Sequence, residues 1–125
     1  EIELGRLDTK RDLTFVSDTV DGFVRSSVAD GVVGRVVQLG TGRVVSIKEL
    51  FDLAVQAVGT EAEIKQDPRR MRPGASEVET LLSAPDLAAK LLGWSPSVTL
   101  EDGIARTTEW LRSNMTTYRP DELHV

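Results

Sequence analysis

The sequence predicts a small mixed α/β domain with short strands and about four helices. Three observations lead there. Runs of β-branched residues alternate with segments whose apolar residues recur at helical spacing. Glycine and proline punctuate the joints, at Gly31, Gly34, Gly40, Gly42, Gly59, Gly93 and Pro96. A length of 125 residues, 40% of them hydrophobic, supplies one modest core but not two, so 1–125 reads as a single domain.

The elements follow in order. Residues 13–16 read as a short strand, and Asp18 as the N-cap of a helix that carries Val20, Phe23, Val24, Ser27 and Val28 on one face. Residues 35–39 are a second β-branched strand, running into the Gly40-Thr41-Gly42 turn. Ser46 opens a helix whose buried stripe is Ile47, Leu50, Phe51, Ala54 and Val58, ended by Gly59. Residues 61–66 alternate Ala62 and Ile64 with polar neighbours, as an edge strand does. A third helix from about Asp86 carries Leu87, Leu91 and Leu92 and stops at Gly93, with Trp94 and Pro96 beyond. Thr99 caps the fourth, with Asp102 as a weaker capping-box partner. Leu100, Ile104, Thr107, Thr108 and Leu111 form its inner face and Trp110 flanks it. The polar tail YRPDELHV is expected along the surface.

Charge and composition narrow the function. A net charge of −5 argues against nucleic acid and against an anionic membrane surface, because both reward a basic face. Zero cysteines exclude disulfides and thiolate metal sites and fit a cytoplasmic location. No apolar run is long enough to span a bilayer. The first residue is Glu1 rather than methionine, so the chain is expected to be cut from a longer one.

The stretch VVQLGTGRVVS invites comparison with a phosphate-cradling glycine loop, in which the backbone approaches a pyrophosphate at a helix N-terminus. Val45 stands where a third glycine belongs, and Ser46-Ile47-Lys48-Glu49 is a capping box that closes the helix on its own side chains. The glycines therefore shape a turn. The segment DPRRMRPGASEV is different: Arg69, Arg70 and Arg72 lie between Pro68 and Pro73 in an otherwise acidic chain, either as a solvated charged loop or as an anion site.

Four motifs, TKRDLTFVSDTVDGF, VVQLGTGRVVSIKEL, RRMRPGASEV and LLGWSPSVTLEDGI, follow one another at similar spacings as in the C-terminal third of extended short-chain dehydrogenase/reductases. From about Gly5 onward the chain resembles the NAD-dependent sugar-nucleotide epimerases and 4,6-dehydratases of that family, the aminosugar-nucleotide dehydratases most of all. The resemblance implies a substrate-binding domain lacking the Rossmann domain. It implies that NAD(P) is held by the parent and not by this chain, and that the partners are a nucleotide-diphosphate sugar and the missing Rossmann portion. Self-association is a further expectation, since the face that meets that portion would be left uncovered. The family's catalytic Tyr-x-x-x-Lys pair is not matched: four residues after Tyr118, the sole tyrosine, comes Glu122, and the sole histidine, His124, reads as a solvated tail residue.

Carried over residue by residue, Arg11 and Arg72 match arginines that contact the pyrophosphate in relatives. Two planar guanidinium forks closing from separate segments suit a diphosphate. Many relatives place an aspartate after Arg-Pro-Gly to hold a ribose hydroxyl; Ala75 stands there, so Glu77 is the substitute expected here. Gln38 replaces the usual Asn, and Ala84 an Asp. Asp12 and Asp18 are expected to be structural. A free-standing α/β binding or interaction module that lost its Rossmann domain is the alternative function class.

Overall fold

The computed structural model describes residues 1–71 and 78–117. Five short strands and four helices alternate along the chain. They are β1 (Ile2–Leu4), β2 (Lys10–Arg11), α1 (Val16–Val28), β3 (Val45–Ser46), α2 (Ile47–Val58), β4 (Ile64–Gln66), β5 (Thr80–Leu81), α3 (Asp86–Leu92) and α4 (Leu100–Ser113), with 3-10 turns at Pro68–Arg70 and Met115–Thr117. β1 and β4 pair in parallel with Ile2 opposite Ile64. β2 lies between β3, antiparallel, and β5, parallel.

The helix signals hold best where a cap was spelled out. Ser46 and Glu49 exchange both bonds of the capping box, the Glu49 amide donating to the Ser46 hydroxyl at 3.1 Å and the Ser46 amide to Glu49 Oε2 at 2.8 Å. Gly59 and Gly93 end α2 and α3 in the left-handed conformation. The Thr99 hydroxyl accepts the Asp102 amide at the start of α4. Trp94, 1% exposed, closes the core with Ala88 and Leu92, against Val32, Val37, Leu39 and Leu91. Its indole donates to the Asp18 carbonyl at 2.9 Å.

Four expectations are corrected. Residues 13–16 are not a strand: the ladder sits at Lys10–Arg11, and α1 begins at Val16 behind Phe15. Asp18 is not an N-cap but lies inside the first turn, where its carboxylate accepts the Ser97 hydroxyl at 2.7 Å and the Ser97 and Val98 amides at 3.0 Å each. The apolar face of α1 points outward: Val20, Phe23, Val24 and Val28 are exposed, and the residues this helix buries are Asp18 and Gly22. Leu39 packs so closely on Gly22 that a Cβ there would collide with it. Among the described residues, 35–39 enter no ladder, and the strand expected at 61–66 shrinks to Ile64–Gln66.

α2 packs along α4, with Leu50, Ala54 and Val58 facing Leu100, Ile104, Thr108 and Leu111 across a cavity of about 430 Å³ that Phe15 also lines. Arg106 lies over the Phe15 ring at 5.7 Å. Among the described residues, no helix is long and apolar enough to cross a membrane.

Candidate functional site

Arg11 occupies the central strand of the three-stranded sheet. The Lys10 amide donates to the Glu79 carbonyl at 2.7 Å and the Asp12 amide to the Leu81 carbonyl at 2.9 Å, so Arg11 is flanked by ladder bonds to the segment that follows residues 72–77. Its guanidinium donates from Nη1 to the Lys10 carbonyl at 2.7 Å and reaches the Glu79 carbonyl at 3.5 Å. Arg72 and Glu77 lie outside the described residues, as do Tyr118 and His124. The structure thus places Arg11 beside the exit of the arginine-bearing segment.

The other two arginines of the cluster are engaged. Asp67, buried just before Pro68, accepts the Arg69 amide and Nε at 3.0 Å, and its carboxylate lies 3.0 Å from Arg69 Nη2. Arg70 Nε stands 3.8 Å from the same carboxylate. The Arg69 side-chain bonds, then its amide, hold the Asp67 carboxyl below the ordinary range despite burial, and Asp67 in turn raises the Arg69 pKa. Asp67 before proline is an Asx-turn signature that sequence reasoning passed over, and it is what holds Arg69 and Arg70.

The glycine turn is filled from within. Asp12 Oδ1 accepts the Thr41 amide at 2.9 Å and the Thr41 hydroxyl at 2.6 Å, while Oδ2 accepts the Gly42 amide at 2.9 Å and the Ser83 amide at 3.3 Å. Burial opposes the charged form, but these four donors outweigh it and lower the Asp12 pKa. A side chain at Gly40 would collide with Ser83 and come within 2.9 Å of Asp12 Oδ2. The departure at Gln38 has a function of its own, since Gln38 Oε1 accepts the Ala84 amide at 2.8 Å. With its amides bound to a carboxylate and the α2 N-terminus closed by Ser46, this turn does not fit a dinucleotide pyrophosphate.

Strand order and helix caps define a small mixed α/β fold. Residues 1–107 match the GDP-mannose 4,6 dehydratase family, and the chain belongs to this family of extended short-chain dehydrogenase/reductases. It is 36% identical over 103 residues to UDP-glucose 4-epimerase of Mycolicibacterium smegmatis, covering 82% of this chain and 31% of that protein. The structure of UDP-glucose 4-epimerase from Thermotoga maritima with UDP-glucose superposes with a TM-score of 0.82 at 28% identity, covering 92% of this chain and 36% of the other. The structure of RMD from Pseudomonas aeruginosa complexed with NADPH gives 0.80 at 26% identity, covering 90% and 36%. The chain spans about a third of the length of the relatives it matches.

Proposed function

We propose that the chain is the nucleotide-sugar-binding portion of an NAD-dependent sugar-nucleotide epimerase or 4,6-dehydratase and does not carry the chemistry itself. Arg11 grips the diphosphate from β2, Arg72 from the segment before β5, and Glu77 meets the ribose. The observation that carries this reading is the β2–β5 ladder, which sets Arg11 beside the strand that leaves residues 72–77. The UDP-glucose held by the Thermotoga maritima relative supports the ligand class. Proton and hydride transfer, and NAD(P), belong to the Rossmann portion of the parent, because this sequence has no Tyr-x-x-x-Lys pair.

Each charge-assisted contact to the diphosphate contributes about 1.5–3 kcal/mol, so Arg11→Ala or Arg72→Ala should weaken nucleotide-sugar binding by the parent enzyme roughly tenfold to a hundredfold. Arg72→Lys keeps the charge, loses the fork and recovers only part of the affinity. Arg70→Ala, remote from the ligand in this reading, should change little. Calorimetric titration with UDP-, GDP-, dTDP- and CDP-sugars checks all four variants. Equal losses for Arg70→Ala and Arg72→Ala would reduce the clamp to a diffuse positive patch.

A further inference from the structure

The aim of the Arg11 guanidinium depends on a very short ladder. β2 and β5 are two residues each, with Arg11 level with Leu81. The Glu79 carbonyl that accepts the Lys10 amide at 2.7 Å is also the one that Arg11 Nη1 reaches at 3.5 Å, so the register of the two strands sets where the guanidinium lies. A ladder of two residues holds register weakly by itself. The next residue, Asp12, strengthens it. Its carboxylate accepts the Ser83 amide just past β5, and the Thr41 and Gly42 amides on the turn that leads into β3, so one side chain ties β2 to the segments of both its neighbours. The fit leaves no slack, because a Cβ at Gly40 would collide with Ser83. Successive side chains of a strand leave it on opposite faces, so Asp12 can act on Arg11 through the backbone they share.

A binding group held in place before the ligand arrives cuts the ordering cost of binding. We propose, on the reading of Arg11 as a diphosphate ligand, that Asp12 is its positioning residue: by fastening β2 to the segments that flank β3 and β5, Asp12 fixes the strand register from which the Arg11 guanidinium meets the diphosphate. Asparagine does not replace it. Oδ1 accepts the Thr41 amide and Oδ2 the Gly42 and Ser83 amides, so the NH2 group of an asparagine faces a backbone donor whichever way it is turned.

The test is a double-variant cycle in the parent enzyme, read as the dissociation constant of whichever of the UDP-, GDP-, dTDP- and CDP-sugars binds it most tightly, together with kcat and NAD(P) affinity. Asp12→Asn should weaken nucleotide-sugar binding about tenfold while kcat and NAD(P) affinity stay within about twofold, and the loss should vanish in the Arg11→Ala background, where nothing is left to position. Asp18→Asn, whose carboxylate serves residues 97–98, is the control for a merely structural loss and should leave the dissociation constant unchanged. Additive losses for Asp12→Asn and Arg11→Ala, or a loss for Asp18→Asn as large as that for Asp12→Asn, would overturn the proposal. An unchanged affinity for Arg11→Ala would strike the grip of Arg11 itself, and the role of Asp12 would fall with it; a loss for Arg11→Ala without one for Asp12→Asn overturns the role of Asp12 alone. Should Asp12→Asn not fold, Thr41→Val, which removes the 2.6 Å hydroxyl bond to Asp12 and keeps the shape of the side chain, decides. A loss of about twofold to fivefold that disappears with Arg11→Ala supports the role, and no loss, or one that persists, overturns it.

Discussion

Asp18 shows how far a side chain's role can sit from its position in a pattern. A short acidic residue at the start of a helical run reads as a cap, and it does lie in the first turn of α1, but it is 4% exposed and its oxygens serve the 97–98 backbone that leads into α4. Burial alone would raise its pKa; the Ser97 hydroxyl, the Val98 and Ser97 amides and the Arg106 charge overcome that and lower it. A carboxyl with a lowered folded pKa adds stability that is present above its ordinary value of 3.8 and is lost as pH falls through the folded value. Asp18→Asn should therefore cost on the order of 1.5–3 kcal/mol at neutral pH, with the gap to the parent chain narrowing below about pH 4. Urea unfolding across that range checks it. A gap unchanged down to about pH 3 would mean that hydrogen-bond shape, not charge, is what the loop needs.

Helices α2, α3 and α4 were legible because their ends are written in side chains: Ser46 with Glu49, Gly59, Gly93, Thr99. Ser46→Ala and Thr99→Ala should each destabilise the chain by about 1 kcal/mol, measured by the same unfolding transition. α1 was legible as a helix but not in its start or its facing. Phe15 caps it without a side-chain bond, so no residue type announces the boundary. Periodicity shows that Val20, Phe23, Val24 and Val28 share a side, and nothing in it shows whether this chain or another covers that side. The strands were misplaced for a related reason. Two-residue ladders such as Lys10–Arg11 and Thr80–Leu81 are too short to alternate, while residues 35–39, the best strand composition in the chain, pair with nothing described here.

For the chain as a whole, the family was legible from four ordered motifs, and the match over residues 1–107 bears this out. The proposed site was legible only in outline: Arg11 could be named as a candidate, but its ladder with the strand beyond residues 72–77 is a tertiary fact with no local signal. The Gly40 turn sets a further expectation for the intact chain. Because Asp12 already fills it and Ser46 closes α2, calorimetric titration with NAD should give no saturable binding in the micromolar range; such binding, lost on Gly42→Val, would mean that the turn opens to a ligand after all.

Asp12 has a further consequence for the timing of motion. One carboxylate is the shared acceptor for the turn at Thr41 and Gly42 and for Ser83 on the approach to α3. When β2 frays and carries that carboxylate away, all three peptide hydrogens are released in a single event, however far apart they lie along the chain. Their clocks are therefore one clock, wound at the residue that follows Arg11.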